Sequence, residues 1–155
     1  MSRKLEDLIP ILAIKASELS KVIKDTGLEW VITSTWRPFH EQQALYDQGR
    51  TAPGRTVTNA KAGESFHNYG CAFDFAVLHD EKIDWNDLPT YRRVGELGEE
   101  LGLQWGGRFK GLIDLPHFQM SFGFSTSELL KIYQSGGISG VWKECNKKYE
   151  QGLWP

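Results

Sequence analysis

The sequence predicts a single α+β domain, and three observations carry that expectation. Apolar residues recur at helical spacing through Leu5, Leu8, Leu12, Ala16, Leu19 and Ile23. Short stretches rich in β-branched and aromatic residues then alternate with further helical patterns. No repeat, low-complexity tract or linker divides the chain. Its 155 residues fall within the roughly 100–200 expected of one domain, enough to bury a core without disulfides or a structural metal.

The elements follow in order. Pro10 lies inside the first apolar pattern, and proline is tolerated only in the first turn of a helix. A short turn ending near Ile9 is therefore expected, then a helix over residues 10–26, with Gly27 as its stop. Residues 28–35 read as a strand, and residues 41–48 as a short helix closed by Gly49. Residues 49–63 hold three glycines, a proline, three threonines and an asparagine. That composition predicts a long loop, and loops of such length in a compact domain are usually functional or mobile. Residues 70–78 read as a second strand. Asn86 or Asp87 can cap a helix over residues 88–101, with Gly102 beyond its end. Residues 103–105 and 113–120 read as further strands, parted by a turn at Gly106 and Gly107. Ser125 with Glu128 forms a capping box for a helix ending near Gly136, and a last amphipathic helix covers residues 139–149.

Composition excludes more than it assigns. Apolar residues at 40% and charged residues at 25% are ordinary for a globular protein. A net charge of −2 without a basic run argues against nucleic acid as a partner, because phosphate binders concentrate Lys and Arg. No segment has the roughly 18 apolar residues of a membrane span, so no stable membrane association is expected. Glu6 and Asp7 interrupt the opening apolar stretch, which does not read as a secretory signal. Synthesis in the cytoplasm is the expectation. Cys71 and Cys145 lie far apart and form no CxxC pair; two reduced, packed thiols are expected.

The chemistry concentrates in two stretches. In residues 64–76, strand geometry sends Cys71, Phe73, Phe75 and Val77 to one face and Ala72, Asp74 and Ala76 to the other. Small neighbours leave room beside the Asp74 carboxylate. A carboxylate between two phenylalanines needs a partner, since an unpaired buried charge is costly. A metal ion, an arginine or a loop cap would each serve, and His67 on its own reads equally as a surface histidine. In residues 112–120, Asp114 and His117 are three apart and would face opposite ways in a regular strand. Pro116 interrupts ladder pairing and permits a bend that brings them to one point. Hydrolytic zinc takes three protein ligands and leaves a position for water. His67, Asp74 and His117 form such a set, with Asp114 as a nearby carboxylate base. Two imidazoles and a carboxylate suit zinc. His40 and His79 read as exposed histidines of a helix start and a turn.

The spacing Ser65-x-His67-x-x-Gly70-x-Ala72-x-Asp74, followed by Asp114-x-Pro116-His117, resembles the zinc peptidases that include D-alanyl-D-alanine carboxypeptidases and VanX-type dipeptidases. These share a metal-site architecture with lysostaphin-type enzymes and the hedgehog signalling domain. More narrowly, the chain is similar to L-alanyl-D-glutamate endopeptidases of phage endolysins and bacillar wall hydrolases. That likeness rests on Ser34-Thr35-Trp36-Arg37, Leu45-Tyr46-x-Gln48-Gly49-Arg50-Thr51, Val57-Thr58-Asn59-Ala60, Gly63-Glu64-Ser65-Phe66-His67-Asn68-Tyr69-Gly70, Trp105-Gly106-Gly107 and Asp114-x-Pro116-His117-Phe118-Gln119. It covers residues 5–121. The resemblance implies a small antiparallel sheet flanked by helices, of the hedgehog and D-alanyl-D-alanine peptidase type.

It further implies one Zn2+ per chain on His67, Asp74 and His117, Asp114 as general base, and Arg37 beside the reacting carbonyl. Ser65 matches a substrate-contacting or metal-supporting position. Tyr69 and Trp105 are candidates to line the substrate cleft, and core packing is the alternative for Trp105. Gln119 either supports the metal or is simply a polar strand residue. The expected activity is hydrolysis of the peptidoglycan stem peptide at the L-alanyl-D-glutamate bond, causing wall lysis. A D-alanyl-D-alanine carboxypeptidase or dipeptidase is the alternative within the family, and a non-catalytic zinc-bearing binding module the alternative outside it. The whole of residues 1–155 is expected to be one catalytic domain with two C-terminal helices over residues 125–150, no separate wall-binding module, and a monomeric state. Without a signal, a phage or prophage lysin released with the help of a holin is the expected setting.

Overall fold

The computed structural model describes residues 1–154. A 3₁₀ turn at Leu5–Asp7 leads into α1 (Pro10–Asp25), with the proline in the first turn where its missing N–H costs nothing. Then come β1 (Glu29–Ser34) and α2 (Phe39–Asp47), the long loop, and a second 3₁₀ turn at Phe66–Tyr69. β2 (Ala72–His79) and β3 (Lys82–Ile83) form a hairpin; α3 (Leu88–Glu100), β4 (Gln104–Trp105), β5 (His117–Gln119) and α4 (Thr126–Glu150) complete the chain.

The strands make one antiparallel sheet in the order β1-β2-β5-β4, with β3 continuing the far end of β2. β2 is its centre, and both faces of β2 are largely buried. Cys71, Phe73, Phe75 and Val77 are fully buried on the face met by Leu12, Ala16 and Leu19 of α1 and Tyr91, Val94 and Leu97 of α3. The rings of Phe75 and Phe118 stack at 5.3 Å and 22° across the β2–β5 pair. Such contacts add about 0.5–1.5 kcal/mol beyond area burial.

The caps follow the sequence. Asp87 accepts from Thr90 N–H at the start of α3, and Ser125 with Glu128 forms a reciprocal capping box on α4. α4 is two helical segments joined at Gly137, whose φ of 62° and ψ of −164° interrupt it. Its Leu129, Val141 and Cys145 are buried in the core, and the Trp142 indole donates to the Tyr69 carbonyl at 2.8 Å. The last helix is thus tied to the turn that carries His67.

Two elements differ from expectation. The strand expected over residues 113–120 shrinks to His117–Gln119. Pro116 has no N–H to donate, and pairing begins with its carbonyl, which accepts from Phe75 N–H at 2.9 Å. Residues 113–116 therefore remain a bend. β3, with two residues, is too short to show a period and went unanticipated.

Candidate metal centre and active-site cleft

Register places the first pair of groups. Asp74 pairs with His117 of β5 on one side and with Ser34 of β1 on the other, past a bulge in β1. Directly opposed residues of antiparallel strands share a face, so Ser34, Asp74 and His117 form a row across three strands. The bend ahead of β5 is closed by His117 N–H donating to the Asp114 carbonyl at 3.2 Å. Asp114 N–H in turn donates to the Gly106 carbonyl at 3.1 Å. A Cβ on Gly106 would stand 2.3 Å from the Asp114 oxygen and 3.0 Å from the His117 Cβ. Only glycine admits so close an approach.

His67 arrives from the 3₁₀ turn. Ser65 caps that turn by accepting from His67 N–H at 3.3 Å, and Gly70 closes it in the left-handed region at φ 66°. The imidazole is 3% exposed, and its Nδ1 donates to the Thr35 carbonyl at 2.7 Å, just beyond β1. Its Nε2 then faces Asp74 Oδ1 at 3.1 Å. His117 Nδ1 meets the same oxygen at 2.9 Å, while its Nε2 faces Gln119 Oε1 at 2.9 Å. One ligand atom from each of His67, Asp74 and His117 lies within 4.8 Å of the others.

This donor set fits a divalent cation. Each imidazole commits its outer nitrogen to a carbonyl oxygen, so a neutral ring turns a lone pair toward Asp74. Two lone pairs and a carboxylate then converge on one point, an arrangement that requires protons or a cation between them. Burial pushes the Asp74 carboxyl up, but the charges and hydrogen bonds of His67 and His117 outweigh it and hold the group far below the ordinary carboxylate range. Burial pulls the His117 imidazole down, and its bond to Asp74 more than restores it, so it rests above the usual histidine value.

Arg37 supports the other carboxylate oxygen. Its Nη2 lies 3.4 Å from Asp74 Oδ2 and donates to Ser34 Oγ at 3.2 Å, and its Nη1 donates to Gln42 Oε1 at 2.8 Å. Gln42 is fully buried and passes its own amide to the Ala60 carbonyl at 2.8 Å. Asp114 sits in the same cleft. Burial, aided by the charge of Asp74, raises its carboxyl above the usual value against the pull of His117, His67 and Arg37.

A cleft of about 330 Å³ opens over these groups. Arg37, Ser65, His67, Asp74, Asp114 and His117 form its floor, and Leu45, Gln48, Val57 and Thr58 of α2 and the long loop form a wall. A larger open groove of about 430 Å³ beside the end of α1 is lined by Lys24, Glu29 and Trp30 and holds no convergent donor set.

Six of the eight residues singled out from the sequence therefore meet in one cleft, and Tyr69 and Trp105 do not. Tyr69 is fully buried, its hydroxyl donates to the Gly63 carbonyl at 2.7 Å, and burial raises its pKa to about 12. Trp105 is 4% exposed, and its indole donates to the Leu115 carbonyl at 2.8 Å. Both rings fill interior space, and the expectation that they meet substrate gives way to packing. His40 and His79 are exposed. Ser34, Thr35 and Gln42 were missed as site residues. A buried glutamine in a short helix carries no spacing signal, and the Thr35 contribution is a backbone carbonyl, which no side-chain pattern reports.

A family model described as D-alanyl-D-alanine carboxypeptidase matches residues 58–120. The peptidoglycan L-alanyl-D-glutamate endopeptidase CwlK of Bacillus subtilis is 42% identical over 123 residues, which are 74% of this chain and 74% of that one. An L-alanyl-D-glutamate peptidase of a Listeria phage is 28% identical over 126 residues; the match takes in 79% of this chain and 41% of that longer protein. Among solved structures, the Serratia marcescens L-Ala D-Glu endopeptidase ChiX aligns with a TM-score of 0.47 and 23% identity, over 61% of this chain and 68% of that one. The chain belongs to the D-alanyl-D-alanine carboxypeptidase family of peptidases, in the company of peptidoglycan L-alanyl-D-glutamate endopeptidases.

Proposed function

We infer that this peptidase is a zinc-dependent endopeptidase of the peptidoglycan stem peptide, acting at the L-alanyl-D-glutamate bond. The observation that carries the reading is the convergence of His67, Asp74 and His117 on one point, with Asp114 in the same cleft. The 42% identity to a peptidoglycan L-alanyl-D-glutamate endopeptidase supports the choice of bond.

His67 Nε2, Asp74 Oδ1 and His117 Nδ1 would hold the ion. When bound, zinc supplies Lewis acidity and eases deprotonation of a water. The chain's own groups do the rest. Asp114, whose carboxyl is raised above its usual value by burial, accepts the proton of the attacking water and returns it to the departing D-glutamate amine. Arg37 presents guanidinium donors at the cleft floor, where charge develops on the carbonyl oxygen. Gln42 and Ser34 hold that guanidinium in place. Ser65 lines the cleft and is proposed to contact substrate.

The cell wall is then the place of action. Among the described residues no helix is long and apolar enough to cross a membrane. Likeness to a phage peptidase supports release through an opened membrane, the holin-assisted route. We read the protein as a monomer carrying one zinc in one catalytic domain. A carboxypeptidase is the second reading, supported by the description of the matching family model. A pure binding module has no use for a carboxylate base beside the ion.

The deciding experiment digests purified peptidoglycan and identifies the groups released. New D-glutamate amino termini are expected, and free D-alanine would replace this reading with the carboxypeptidase. In parallel, His67→Ala is expected to lose both the bound zinc and the release of peptide. Full lysis by a metal-free protein would remove the mechanism.

A further inference from the structure

We propose that Gln104 and Gln119 form a relay that fixes the tautomer of His117 and so sets how tightly the site holds its metal. The inference deepens the zinc reading above and rests on it. It concerns positioning residues, which act through His117.

The relay starts from a group whose polarity cannot change. Ser121 N–H, a backbone donor, points at Gln104 Oε1 at 3.3 Å. An amide's oxygen and nitrogen can exchange places, and only the surrounding partners decide between them. Turning the Gln104 amide over would oppose two donors, so its oxygen faces Ser121. That oxygen also receives Gln119 Nε2 at 3.3 Å. The Gln119 amide is thereby oriented in turn, with its nitrogen toward Gln104 and its oxygen toward His117. Gln119 Oε1 lies 2.9 Å from His117 Nε2, and an amide oxygen only accepts. His117 Nε2 therefore carries a proton, and in the neutral ring it is Nδ1, 2.9 Å from Asp74 Oδ1, that offers the lone pair a metal would take.

Each step is built into the sheet. Gln104 of β4 and Gln119 of β5 are register partners, and opposed side chains share a face. Gln119 and His117 are alternate residues of β5, so they also lie on one face. His67 needs no such relay, because the Thr35 carbonyl holds its Nδ1 directly. The two imidazoles are thus locked by different means, one by backbone and one by a pair of side chains.

The test measures zinc affinity by competition with a chelator, together with the ¹⁵N signature of the His117 ring in the zinc-loaded protein. Groups that orient a metal-bound histidine are worth about tenfold to a hundredfold in affinity. Gln119→Met, which removes the acceptor, is expected to lose that much. Gln104→Met should weaken binding less and should speed exchange of the His117 Nε2 proton. Gln104→Glu keeps an acceptor for Ser121 N–H and for Gln119, and should restore both wild-type affinity and the slowly exchanging proton. A merely structural role predicts no such rescue, since Met and Glu fill similar space. Equal zinc affinity in wild type, Gln119→Met and Gln104→Met would overturn the relay and leave the peptidase reading standing. So would a Gln104→Glu protein as weak as Gln104→Met. Failure of the wild type to bind zinc at all would instead strike the reading beneath it.

Discussion

The two walls of the cleft are built on opposite plans. The floor formed by β2, β5 and the 3₁₀ turn at Phe66–Tyr69 is buried, with His67 at 3% exposure and His117 at 7%. Its groups are held by neighbours more than thirty residues away in sequence: His67 by Thr35, and Asp74 by Arg37 and His117. The facing loop, residues 49–59, is exposed at nearly every position. It holds itself together through near neighbours. Arg50 donates to the carbonyls of Tyr46 and Thr58 at 2.6 and 3.0 Å and to Asn59 Oδ1 at 2.8 Å, with its guanidinium 4.1 Å from the centre of the Tyr46 ring. Groups that carry out chemistry are fixed to sub-ångström tolerance by long-range contacts, whereas groups that meet a large polymer are set on a segment able to adjust. The contrast predicts that variants of the floor lose turnover and variants of the loop shift substrate affinity.

The sharpest break is Asp114→Asn. The ligand set is untouched, so zinc content should stay at one per chain while kcat falls by about 10²–10⁴-fold, the contribution of a positioned acid–base group. Loss of the metal along with the rate would place Asp114 among the ligands. Next comes Arg37→Met, which removes donors from the developing oxyanion and should lower kcat by about 10²–10³-fold. An unchanged kcat with a raised KM would move Arg37 from the floor's chemistry to substrate binding.

Acid should act on the floor alone. As the proposed base Asp114 has to be a carboxylate, and its raised pKa means it takes up a proton at a higher pH than a free aspartate would. Rate should therefore fall as pH drops, by about tenfold per unit once Asp114 protonates, starting above the ordinary value of about 3.9. Imidazole ligands taking up protons steepen the same limb by releasing metal. A rate independent of pH between 4 and 8 would contradict both. Zinc content measured across the same range separates the two causes.

The smallest effect is expected in the loop. Arg50→Ala removes three exposed hydrogen bonds, and exposed polar contacts are each worth about 0.2–1 kcal/mol. KM for wall fragments should rise by about two- to fivefold, a factor of that size, with kcat and zinc content unchanged. A large fall in kcat would mean that the loop also orders the floor, and the division between the walls would fail.

Much of this molecule is readable without coordinates, because local rules act over few residues. Pro10, the apolar spacing of α1, the Asp87 cap and the Ser125–Glu128 box are short-range signals, and each element begins where they place it. The alternation along β2 likewise separated Phe73 and Phe75 from Asp74. The spacing from Ser65 to Asp74 and from Asp114 to His117 marked the metal candidates through resemblance to a family. Only the tertiary structure decided how those groups meet. Register across three strands is a long-range property, and it alone sets Asp74 between Ser34 and His117. It also took Tyr69 and Trp105 out of the cleft, since an aromatic ring suits a core and a substrate wall equally well by composition. Backbone partners such as the Thr35 carbonyl, and amides such as the buried Gln42 and the half-buried Gln104, act through where the fold carries them. Their residue type leaves no period or motif in the chain by which they could have been found.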